Sequence, residues 1–159
     1  MRISRCIAFM LLFAPVAWGA DPNVALIHDK DPQMNAAIAK ARSTLDGFFK
    51  TKSRREPGAD GYTVKVLFRE GSNAEHMWVT PFRPNGGGGY QGLLKSSPSY
   101  IKGLQWGQQV TFERDQITDW GYTQGNTLVG YFTVCVLLAR DSALKARIEA
   151  NGQRYQCAA

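Results

Sequence analysis

Apolar residues recur at intervals of three and four from Met34 through Ile38, Ala41 and Leu45 to Phe48, which places them on one face of a helix. Asp31-Pro32 starts it, because aspartate caps a helix well and proline at the first helical position gives up an N–H that has no partner there. Gly47 leaves the end of the helix open, and the breaker Glu56-Pro57-Gly58-Ala59-Asp60-Gly61 follows. From Tyr62 the period becomes two, with Tyr62, Val64, Val66 and Phe68 pointing one way and Thr63, Lys65 and Leu67 the other, as in a strand. Glu70-Gly71-Ser72-Asn73 turns the chain into a second strand, about Glu75 to Phe82, and completes a hairpin. After the glycines at 86–89 a short third strand runs from Tyr90 to Leu94, and Ser96 to Leu104 reads as a turn or a single helical turn. Further strands are predicted at Gln109 to Glu113 and Ile117 to Thr123. A last one, about Leu128 to Leu138, is apolar on both faces and hence central. Ser142 to Ala150 is a short helix stopped by Asn151-Gly152. The predicted architecture is α+β: an N-terminal helix packed on a curved, mostly antiparallel sheet of five or six strands, with a short C-terminal helix. A small closed barrel is the alternative.

The first 30 residues fit none of these periods. Arg2 and Arg5, the apolar run Cys6 to Val16 and the small-x-small triplet Ala17-Trp18-Gly19 form the three parts of an export signal. The run falls short of the roughly 20 residues that span a bilayer, and Pro15 interrupts it, so cleavage is expected rather than a retained anchor. This divides the chain into a signal peptide at 1–19, a flexible leader at 20–30 and one domain at 31–159, periplasmic or secreted and without a membrane span. About 140 residues then remain, enough to bury a real core.

Charge and cysteine usage change with the signal removed. The whole chain carries 19 basic and 13 acidic residues. Losing Arg2 and Arg5 leaves a surplus of about four positive charges, too mild and too scattered to indicate a nucleic-acid partner. The dense run Lys50, Lys52, Arg54, Arg55 sits just past the predicted helix, where its dipole favours cations, and reads as a solvated loop with an anion-binding patch as the other reading. Cys135 and Cys157 are the cysteines that stay. In an oxidising compartment they form one disulfide, and two free thiols are the competing reading.

Several short patterns occur in order along the chain: Asp-Pro-x-Met-Asn-x-Ala-x-x-x-Ala-Arg at 31–42, Glu75-His76-x-Trp78-Val79, Gly103-Leu104-x-x-Gly107 and Ile117-Thr118-Asp119-Trp120-x-Tyr122. This set resembles the YegJ-like bacterial domains of unknown function over roughly residues 31 to 138. Gly121, in place of a bulkier residue, and the absence of a double glycine before Tyr131 depart from that pattern. The resemblance implies a compact α+β domain and carries no activity and no catalytic residue.

Candidate chemistry is sparse. Glu75 and His76 are adjacent on a strand and leave it on opposite faces, so they do not form a direct acid–base pair. Asp115 and Asp119 would be roughly 13 Å apart on a continuous strand, too far for an ordinary glycosidase pair. Ser99-Tyr100-Ile101-Lys102 lacks the companion motifs of penicillin-binding enzymes, and the glycine run lacks the Gly-Lys-Ser/Thr of a phosphate loop. With His28 and His76 the only histidines, no metal site is expected, and no cofactor. The aromatic set Trp78, Trp106, Trp120, Tyr122 and Tyr131 is either core or a platform for a ligand. Two functions remain. One is a non-catalytic interaction protein of the envelope, of inhibitor or immunity type, binding an acidic or neutral protein or ligand. The other is a small hydrolase or ligand-binding enzyme using His76 with Asp115 or Asp119.

Overall fold

The computed structural model describes residues 31–157, so the signal, the leader and His28 lie outside the described residues. Helix α1 spans Pro32–Arg54 and continues through Gly47, which faces open space and therefore neither clashes nor ends the helix. Lys50, Lys52 and Arg54 thus belong to its last turns rather than to a loop, and Arg55 closes it in the left-handed conformation. Met34, Ala37, Ala41, Leu45 and Phe48 are buried, the predicted stripe with Ala37 in place of Ile38.

Seven strands form one open sheet: β1 (Ala59–Glu70), β2 (Asn73–Pro84), β3 (Tyr90–Leu94), β4 (Gln109–Phe112), β5 (Ile117–Gln124), β6 (Thr127–Gly130) and β7 (Arg154–Tyr155). Their order is β4-β3-β2-β1-β5-β6-β7, antiparallel except for β6 with β7, so the sheet is not a closed barrel. The central strand is β1. Its Val64 and Val66 face α1, and the core between them holds Leu45, Phe48, Met77, Val79, Phe82, Ile117 and Trp120. Phe48 stacks on Trp120 with ring centres 5.0 Å apart, and Trp120 Nε1 donates to the Ala41 carbonyl at 2.9 Å, tying sheet to helix. Segment 96–104 forms bends and turns without a helical turn.

The predicted strand from Leu128 to Leu138 is corrected. Only Thr127–Gly130 pairs with β5, and Phe132–Arg140 is a helix, α2, followed by α3 (Ser142–Ala150). Gly130 and Tyr131 both have positive φ, 87° and 52°, which bends the chain out of the strand. Asp119 then accepts hydrogen bonds from the N–H groups of Phe132 and Thr133, which starts the helix from outside its own sequence.

Two cross-links hold the helices. Cys135 of α2 is bonded to Cys157 beyond β7, with an S–S distance of 2.03 Å. Cys157→Ser is expected to cost about 3 kcal/mol in chemical denaturation, less any residual order of the unfolded chain. At the other end Asp31 caps α1 through Gln33 and Met34 N–H and pairs with Arg140 of α2 at 2.5 Å. The Arg140 side chain, ahead of the helix N–H groups, lowers the Asp31 carboxyl from 3.8 to about 2. A carboxyl depressed on folding adds stability above its unfolded value, and this is lost as pH falls from 3.8 through about 2. In Arg140→Gln the Asp31 titration, followed by NMR, is expected to move up toward 3.8, with faster amide exchange at Met34.

Candidate functional site

The hairpin turn between β1 and β2 carries Glu70 and Glu75 close together, and both carboxylates turn toward the 96–107 loop. Glu75, 4% exposed, accepts from the N–H groups of Ser99 at 2.9 and 3.1 Å, Tyr100 at 3.0 Å and Ile101 at 3.3 Å. Glu70 accepts from Lys102 at 3.0 Å and Gly103 at 3.1 Å. Successive amides from 99 to 103 therefore converge on two anions, while Ile101 is buried in the core and Asn73 Nδ2 donates to the Tyr100 carbonyl. The loop so held displays Tyr100, 42% exposed, and Trp106, 61% exposed, with Lys95 Nζ 4.6 Å above the Trp106 ring. These are the exposed large hydrophobics of the described residues.

A second polar group lies on the sheet face opposite α1. Lys65, 2% exposed, alternates with Val64 and Val66 and so points away from the helix. Its ammonium donates to Thr133 Oγ1 at 3.1 Å and rests 5.0 Å from the centre of the Trp78 ring. Thr133 Oγ1 in turn donates to Asp119 Oδ2 at 2.5 Å. Asp119 also receives Thr133 N–H, Phe132 N–H and Trp120 N–H. Burial pushes the Asp119 carboxyl up, against the pull of these donors and of Lys65. It pushes Lys65 down, against Asp119. Tyr131 packs on Trp78 at 5.2 Å and edge-on to Tyr155 at 5.3 Å, and its hydroxyl is raised by burial first. The Tyr131 ring fills the space a side chain on Gly121 would need, which accounts for glycine at that departure from the pattern.

The sequence candidates are distributed over this frame. His76 Nδ1 meets Thr118 Oγ1 at 2.8 Å, and the same hydroxyl lies 3.2 Å from the Lys65 carbonyl, so the imidazole is tied to the sheet through Thr118. Asp119 is beside Thr118 in sequence but spends its oxygens on the start of α2. Asp115 is exposed in the short 3-10 turn Arg114–Gln116, its carbonyl accepting from Arg42 at 2.9 Å. The aromatic candidates do not share a platform. Trp78 is buried on the Lys65 face, Trp120 and the half-buried Tyr122 stack on the α1 side, and Trp106 alone of the set is exposed. Among the described residues no group of three or more His, Cys, Asp or Glu converges as a metal site. No helix of the described residues is long and apolar enough to cross a membrane.

Glu70, Glu75 as a loop anchor, Lys65 and Thr133 were not candidates by sequence. Glu75 had a signal: it shares the core-facing phase of β2 with Met77 and Val79. Lys65 had none, since its face is covered by Thr133, 68 residues later, together with Trp78 of the neighbouring strand.

Residues 31–150 match the model of a family described as "Uncharacterized protein conserved in bacteria (DUF2314)". The chain is 28% identical over 131 residues to the uncharacterized protein YegJ of Escherichia coli (strain K12), a match covering 80% of this chain and 83% of that protein. It is 27% identical over 122 residues to a putative ankyrin repeat protein, NMB1133/NMB1171, of Neisseria meningitidis serogroup B, covering 72% of this chain and 48% of that protein. No solved structure matches the chain.

Proposed function

Since the chain belongs to the DUF2314 family of uncharacterized proteins conserved in bacteria, a membership that carries no activity, we propose that it is an exported, non-catalytic interaction protein of the cell envelope. The observation that carries this reading is the exposed Trp106, with Tyr100, on a loop whose amides are held by Glu70 and Glu75. A large aromatic on a rigid backbone loses little conformational entropy when it docks, which is why Trp and Tyr dominate interface energetics. Lys95 beside the ring adds a cation suited to an acidic or neutral protein partner, which this chain would bind as an inhibitor or immunity protein. The Cys135–Cys157 bond supports an oxidising compartment, periplasmic or extracellular.

The test is to express the full-length gene with a C-terminal tag in its own host, crosslink lightly and identify co-purifying proteins and the mature N-terminus by mass spectrometry. A near-stoichiometric partner is expected, reduced at least about tenfold by Trp106→Ala, the usual scale for an interface hot spot. A mature form beginning near Ala20 is expected as well. A partner retained undiminished by the variant, or an intact signal, would overturn the corresponding part.

A further inference from the structure

We propose that the cavity between the C-terminal turns of α1 and the Pro84 end of β2 is a binding site for a small organic anion built on an aromatic ring. The cavity has a volume of about 380 Å³, in the range of small-molecule sites. Its floor is aromatic: Phe49 and Tyr90 stack at 5.2 Å, and Phe82 packs edge-on against both, at 6.2 and 6.1 Å. Phe49 and Tyr90 are half-buried and so keep surface toward the cavity.

The rim is cationic. Lys52, Arg83 and Arg114 line the cavity, and no carboxylate does. Lys52 Nζ lies 5.1 Å from the centre of the Phe82 ring and Arg114 Cζ 5.3 Å from that of Phe49, so the charges stand directly over the aromatic surface. Arg114 is paired with Asp46 of α1 at 2.6 Å, but the Asp46 side chain is 92% exposed and holds it weakly. The Glu113 carboxylate is turned against Gly89. Lys52 and Arg83 make no ion pair among the described residues. Lys50, Arg54 and Arg55 on the same end of α1 add to the positive field. Two otherwise unneutralised cations above an apolar concavity call for a ligand that offers charge and ring together. A bare anion leaves the aromatic floor wet, and a neutral ring leaves the cations unpaired. A ring carrying a phosphate or carboxylate meets both.

The cavity lies at the end of β2 away from the Glu70–Asn73 turn that holds the Trp106 loop, so the two readings stand or fall separately. The test is an NMR titration of the ¹⁵N-labelled protein with phenyl phosphate, alongside inorganic phosphate and phenol at matched ionic strength. Phenyl phosphate is expected to give saturable shifts at Phe49, Lys52, Arg83 and Tyr90 with a Kd below about 1 mM, and each half-ligand to bind at least about tenfold more weakly. Lys52→Gln and Arg83→Gln are each expected to weaken it by about threefold or more with the remaining spectrum unchanged. No saturation by about 10 mM, phosphate or phenol binding as well as phenyl phosphate, or shifts centred elsewhere would overturn the assignment.

Discussion

Glu75→Ala is expected to destabilise the protein by about 3–5 kcal/mol, because it leaves three amides, those of Ser99, Tyr100 and Ile101, without their shared acceptor. The carboxylate is almost fully buried, so water cannot simply replace it at full value. Glu75→Gln keeps one acceptor oxygen but turns an NH₂ toward amides that are themselves donors, and an intermediate loss is expected. Urea denaturation of the two variants measures the cost, and hydrogen exchange shows where it falls. Exchange should accelerate most at residues 99–103, and at Val64 and Val79 in the core strands only by as much as global stability falls. A loss under about 1 kcal/mol in Glu75→Ala would mean that Ile101 and Glu70 hold the loop without it. The same variant bears on binding: if the loop presents Trp106 by rigidity, partner capture should weaken even though no contacting side chain has changed.

Much of this architecture is legible in the amino-acid sequence, and the parts that are not share a cause. The stripe Met34, Ala41, Leu45, Phe48 and the alternation Tyr62 to Phe68 depend on residues near in sequence, and α1 and β1 contain those periods, though α1 runs on to Arg54 and β1 begins at Ala59, inside the predicted breaker. The run from Leu128 to Leu138 is apolar throughout, and an apolar run without a period fits a buried strand or a helix equally well. What decides it is Asp119, which caps Phe132 and Thr133 across the sheet, together with the positive φ of Gly130 and Tyr131. The polar sites are hidden for the same reason. Glu75 is readable only as a charge in a core-facing phase, and the five amides it and Glu70 collect come from a loop more than twenty residues later. Lys65 reads as a solvent-facing strand lysine until Thr133 and Trp78 are seen to cover it. His76 and Asp119, proposed together from sequence, end on different partners, Thr118 and the start of α2.

Asp119→Ala is expected to be the more damaging half of the Lys65–Asp119 pair, by about 3–5 kcal/mol against about 1–2 for Lys65→Met. The asymmetry follows from what each removal strands. With Lys65 replaced by methionine, the Asp119 carboxylate still receives the N–H groups of Trp120, Phe132 and Thr133 and the Thr133 hydroxyl, so α2 keeps its start. With Asp119 gone, α2 loses its cap and the buried ammonium keeps only the Thr133 hydroxyl and the Trp78 face. The double variant should recover part of the loss, with a coupling of about 1–3 kcal/mol in a double-mutant cycle, since it no longer buries an unpaired charge. The pH dependence separates the two causes. Burial already lowers Lys65, and Asp119 is what opposes it. In Asp119→Ala the folded-state value drops further, the unfolded chain binds more protons, and stability therefore rises with pH toward the ordinary lysine value of 10.5. Lys65→Met/Asp119→Ala lacks the group and should show no such rise. Equal pH profiles for the single and double Asp119 variants would assign the whole loss to the missing helix cap and none to the stranded cation.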